Sequence, residues 1–190
     1  MTLPRVEVTS VEQLRAWLEE HHTTSAGVWL VTWKKHAGDK HLPWGDFVPE
    51  LLCFGWIDSQ ARGVDADRTS RRITPRRKGG HWSAINKRHL KKLEAEGRMR
   101  PAGLAVIEAA KADGSWTFLD DIEALIEPAD LQEALLGQRA LWEARPPSFR
   151  KTALFQLKSA KRPATRAKRL KKLLAELHAL ATDEGRPAPS

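Results

Sequence analysis

A single cysteine in 190 residues excludes an intramolecular disulfide and any Cys-rich zinc or iron–sulfur centre. Tyrosine is absent, so the aromatic chemistry falls to eight tryptophans and five phenylalanines. No apolar run reaches the ~18–20 residues that span a bilayer, and no membrane insertion is expected. The start, Met1-Thr2-Leu3-Pro4-Arg5, lacks a cationic stretch followed by an apolar one, so the expected location is the cytoplasm. The histidines show no His-Glu-x-x-His spacing and no cysteine partner, which argues against a metal site. Gly-x-x-x-x-Gly-Lys-Ser/Thr does not occur, and Ser59 and Ser83 lack a Gly-x-Ser-x-Gly elbow. Neither a P-loop nor a hydrolase nucleophile is indicated, and no cofactor is expected.

What is present is positive charge in blocks. The net charge of +8 divides into −3 over residues 1–60, +9 over 61–100, −6 over 101–147 and +8 over 148–190. Such blocks can neutralise one another within the fold, or the basic ones can meet an outside anion. An apolar share of 41% supplies a core and argues against disorder.

Periodicity predicts a helix over 10–22, a strand over 28–35 covered on both faces, and a short buried helix from Asp46 to Phe54 stopped by Gly55. Strands at 56–59 and 68–74 flank a hairpin loop at 63–67, and Pro75 ends the second because it cannot donate to a ladder. Helices are expected at 82–96, from Pro101 to Gly114, and through most of the chain after Phe118. The expected fold is α+β, a small antiparallel sheet wrapped by helices with a C-terminal helical module. The expected division is 1–118, 119–182 and a disordered tail over 183–190.

The clearest basic face is Lys87, Arg88, Lys91 and Lys92, at helical spacing that gathers them on one side. Upstream, Arg71, Arg72, Arg76, Arg77 and Lys78 crowd a Gly-Gly pair, whose backbone N–H groups can turn toward an anion. Arg166 and Arg169 belong to a second basic run near the start of the last helix, where the macrodipole is already positive. Acidic side chains from 120–133, or a bound anion, would relieve that conflict. Trp17, Trp29 and Trp56 read as core, whereas Trp33, Trp44 and Trp82 adjoin basic or loop segments and can wall a cleft. Cys53 has no neighbouring cation and reads as buried and structural. Asp58 can act as a general base or can orient an arginine.

Several strings together resemble a known family. They are Val28-Trp29-Leu30 with Lys34-Lys35, Leu52-Cys53-Phe54-Gly55-Trp56-Ile57-Asp58-Ser59, Ile73-Thr74-Pro75-Arg76-Arg77, Trp82-Ser83 with Asn86, and Ala160-Lys161-Arg162 with Thr165-Arg166. From about residue 12 to 182 the chain is similar to the YdeI/OmpD-associated family, labelled bacteriocin protection. The resemblance implies resistance to cationic antimicrobial peptides, a porin partner and no established catalytic activity. Gly79-Gly80-His81 and Phe155-Gln156-Leu157 depart from the family pattern.

The motif segments lie at strand ends and a helix start, which predicts one site for an anionic, phosphate-bearing ligand. Lys34, Lys35, Arg72 and Arg76 would take the charge, with Asp58 orienting an arginine. Thr74, Ser83 and Asn86 would contribute polar contacts and Trp82 a wall. Lys87, Arg88, Lys91, Lys92, Arg166 and Arg169 form a secondary basic patch. The alternatives are single-stranded nucleic-acid binding, or an enzyme using Asp58 with neighbouring basic residues.

Overall fold

The computed structural model describes residues 3–184 and divides into two units, one ending at Thr117 and the other starting at Phe118. In the first, strand β1 (Arg5–Glu7) leads to helix α1 (Val11–His21). The Ser10 hydroxyl accepts from the Gln13 N–H at 3.3 Å, while the Gln13 side chain accepts from the Thr9 N–H at 2.8 Å. This reciprocal cap satisfies two donors at the helix start. Strand β2 (Val28–Trp33) precedes a 3₁₀ segment (Lys35–Lys40), helix α2 (Trp44–Cys53) and the hairpin of β3 (Trp56–Gly63) and β4 (Arg68–Pro75). Gly55 takes φ +72° after α2, the left-handed stop expected there. Helix α3 (Ala84–Ala95) is capped by Ser83, and Pro101 opens helix α4 (Pro101–Ala112).

The α+β class is as expected, but the sheet is mixed rather than purely antiparallel. Strand order is β1-β2-β4-β3, with β1 parallel to β2 and the other pairs antiparallel. Three residues are too short to show an alternating pattern, so β1 left no readable trace in the sequence.

Side-chain alternation gives the sheet two unlike faces. Val28, Leu30 and Ile73 are buried in a core shared with Leu14, Leu18, Phe47, Leu51, Trp56 and Leu90. The other face carries Trp29 and Trp33, both half-buried. Full cover of β2 on both sides, and Trp29 as core, are therefore corrected. Trp82, expected as a cleft wall, is only 1% exposed and belongs to the core. Cys53 is fully buried, and burial followed by the Glu50 charge pushes its thiol pKa up, consistent with a structural role.

The second unit comprises α5 (Asp120–Glu123), α6 (Ala129–Ala134), α7 (Arg139–Glu143), α8 (Pro147–Lys158) and α9 (Pro163–Glu184). Leu131, Leu135, Trp142, Leu154, Leu157 and the α9 stripe of Leu173 and Leu177 close a separate core. The tail expected from 183 is helical through Glu184; residues 185–190 lie outside the described residues. Among the described residues no helix is long and apolar enough to cross a membrane.

Candidate functional site

Strand direction divides the expected site. Trp33 pairs with Arg68 at one end of the β2–β4 ladder, and Val28 pairs with Ile73 at the other. Lys34 and Lys35 follow the first end, whereas Thr74 and Arg76 follow the second, roughly 20 Å away at ~3.3 Å per residue. Lys34 Nζ donates to the Asp65 and Ala66 carbonyls, both at 2.9 Å, and so fastens the β3–β4 loop. Lys35 is exposed at the head of the 3₁₀ segment. The single hollow expected from the sequence is not formed.

Asp58 does hold an arginine, and it is Arg71. Its Oδ2 accepts from Arg71 Nη1 at 3.2 Å and from the Trp44 indole at 2.9 Å. Arg72, one residue on, points to the opposite face across from Trp29, with its Nε buried and unpartnered. Thr74 packs against Gly27, whose φ of +134° and lack of Cβ permit the close approach. Ser83 spends its hydroxyl on the Asn86 N–H at 3.2 Å, so this pair caps α3.

What remains together is Arg76 and Trp82. Arg76 is 9% exposed, and its guanidinium carbon sits 3.8 Å from the centre of the Trp82 ring. Nη1 donates to the His81 carbonyl at 3.2 Å, but among the described residues Nε and Nη2 are buried without a partner and no carboxylate forms an ion pair with the guanidinium. Burial pushes its pKa down to about 10, partly opposed by the Asp58 charge, so the cation persists at neutral pH. A buried ion without a hydrogen-bonded counterion carries a penalty of several kcal/mol, more than the ~2 kcal/mol a desolvated cation–π contact returns.

A recess of about 120 Å³ adjoins this arginine, lined by Gly79, Gly80, Trp82, Ala110 and Ser115 among others. Asp113 fastens its rim by accepting from the Gly79 N–H at 3.1 Å and the Ser115 N–H at 2.9 Å. Arg77 and Lys78 are exposed beside it, and Lys87 lies 5.0 Å from the Trp116 ring centre. Asp113 and Ser115 escaped the sequence reading, although Asp113-Gly114-Ser115 is a recognisable helix-stop turn. On α3, Arg88 and Lys91 are exposed and Lys92 lies 3.7 Å from Glu96.

Arg166 and Arg169 belong to the other unit and already have partners there. Both Arg166 forks reach Asp130, at 2.6 and 2.7 Å, and hold that carboxyl below its usual range. Arg169 donates to the Gln156 carbonyl and the Ser159 hydroxyl. Lys158 pairs with Asp121 at 2.8 Å. Burial would raise the Glu127 carboxyl, but Arg139 at 2.6 Å and the Trp142 indole at 2.7 Å outweigh it and keep it low. Asp130 thus relieves the charge conflict at Arg166 near the start of α9 from within the chain, while Asp121 and Glu127 pair with cations of α7 and α8.

Residues 6–106 match the family model described as a domain of unknown function, DUF8412, and this span contains the strings at 52–59 and 73–86. Residues 124–179 match the model described as bacteriocin-protection, YdeI or OmpD-associated. No curated protein and no solved structure matches the chain. The chain therefore belongs to the DUF8412 family, and over residues 124–179 its second unit is similar to the bacteriocin-protection, YdeI or OmpD-associated family.

Proposed function

We propose that the first unit is a non-enzymatic binding module that takes a phosphate-bearing anion at Arg76. The observation that carries the reading is the buried Arg76 guanidinium, whose Nε and Nη2 have no partner among the described residues. A volume of about 120 Å³ suits one phosphoryl or carboxylate group, with the rest of the ligand outside against Arg77 and Lys78. To reach Nε and Nη2 the 77–80 turn must lift. Gly79 sits in open space at φ +75°, so lifting costs mainly its hydrogen bond to Asp113. Asp58, held by Trp44 and Arg71, contributes a field that keeps Arg76 charged and needs no chemistry of its own. The match of the second unit to a bacteriocin-protection model supports a role for this binding in resistance to bacteriocins or cationic peptides, and the location that goes with the proposal is the cytoplasm.

Thermal unfolding with inorganic phosphate, pyrophosphate and nucleoside monophosphates tests the reading. The chain should gain stability as RT ln(1 + [L]/Kd) with at least one of them. Arg76→Met should abolish that gain. The ligand-free variant should be about 1–3 kcal/mol more stable, because an unpaired buried charge has been replaced by an apolar group of similar length. A variant that retains the ligand-induced gain contradicts the assignment.

A further inference from the structure

The sheet face turned away from the core has a chemistry that the Arg76 recess does not use. Along β2, Trp29 and Trp33 lie on this face on either side of Val31. Ladder pairing sets Arg5 of β1 beside Trp29, Arg72 of β4 across from it, and Arg68 across from Trp33. Arg62 of β3 joins the same face, with its guanidinium carbon 4.4 Å from the centre of the Trp29 ring. Lys40 Nζ lies 4.7 Å from the Trp33 ring centre. Of the four strand arginines on this face, Arg68 is held by Glu7 and by Asp65, both at 2.7 Å, and Glu7 also accepts from the Trp33 indole at 2.9 Å; among the described residues Arg5, Arg62 and Arg72 form no ion pair.

We infer that this face is a docking surface for single-stranded nucleic acid, with one base on Trp29 and another on Trp33. Indole faces accept any base by stacking, and arginines beside them neutralise the connecting phosphates. The two rings stand four residues apart, about 13 Å along the strand, too far for one base to touch both. A strand of several nucleotides is therefore the matching ligand, and a mononucleotide can fill only half the platform. Arg62 is exposed and, among the described residues, its side chain makes a ring contact but no hydrogen bond or ion pair, so it can swing from the indole to a phosphate as a base replaces it. An acidic peptide would satisfy the arginines but leave both indoles without stacking partners.

The test is fluorescence anisotropy of the full chain with a labelled oligothymidylate of about eight nucleotides, within the span such platforms cover. Binding should weaken with salt at a log–log slope of about −2, from Arg5, Arg62 and Arg72 at about 0.7 each on single strands. Arg62→Glu, an exposed change that leaves the core intact, should lower affinity about tenfold or more. Trp29→Ala should do the same through lost stacking. No binding at low salt would overturn the inference, as would equal affinity for a polyglutamate of the same charge or unchanged affinity in both variants. Because Arg76 lies off this face, loss of phosphate binding in Arg76→Met alongside failure here would leave the recess reading standing and remove only this one.

Discussion

Glu50→Ala should lower the unfolding free energy of the first unit by about 3 kcal/mol, measured as a fall in the urea midpoint at constant slope. Glu50 is fully buried on α2, an unusual place for a carboxylate. Its oxygens are shared between two arginines: Arg15 Nη1 donates to Oε2 at 2.7 Å, and Arg98 Nη2 donates to Oε1. Arg15 also reaches the Arg98 carbonyl and lies 5.5 Å from the Phe54 ring centre. One carboxylate therefore joins α1, α2 and the segment after α3. Its removal leaves two cations and a small void. The arginine side chains remain 26% and 39% exposed and can recover water, which holds the loss to the lower end of the range for broken buried pairs. A loss below about 1 kcal/mol would mean that the network is dispensable.

Gly103→Ala should cost about 2 kcal/mol although alanine is the better helix former by about 1 kcal/mol. Gly103 lies on α4 where it crosses the end of α2, and an added Cβ would strike the Cys53 carbonyl oxygen and come within 2.9 Å of the Leu52 oxygen. Both obstacles are backbone, so no side-chain rotation relieves them. The same Cys53 oxygen accepts the Arg100 N–H at 3.0 Å, and moving α4 outward would stretch that bond as well. Gly45→Ala is the matched control, since its Cβ would meet nothing within 4 Å. That change should be neutral or stabilise by up to about 1 kcal/mol. Equal melting behaviour of the two variants would show that the helix crossing is looser than the geometry implies.

The parts of the fold with local signals were legible in the sequence. Ser10 announces a helix start, Gly55 a stop and Pro101 a first turn, because caps and breakers act within a few residues, whereas Ser83, expected to contact a ligand, instead caps α3. The alternating charge blocks also carried information: the 120–133 acids do pair with the basic helices that follow. The candidate site was less legible because it depends on strand order and facing. Arg71 and Arg72 are adjacent in sequence, yet alternation sends one to Asp58 and the other toward Trp29. Lys34 and Arg76 flank family-like strings, but the antiparallel ladder carries them to opposite ends. Trp82 beside a basic loop does line the Arg76 recess, but its ring is sealed under Arg76 rather than open to a cleft. No local pattern distinguishes these outcomes, since each is decided by which strand pairs with which.

The most direct measurement on the Arg76 site is an NMR titration of the full chain with inorganic phosphate, following the arginine Nε–H and glycine amide signals. The Arg76 Nε–H and the Gly80 amide should shift together and saturate at one affinity, with the Arg166 Nε–H, engaged by Asp130, unmoved. A shift confined to the exposed Arg77 Nε–H, growing without saturation, would show that phosphate meets only the surface and would contradict the account.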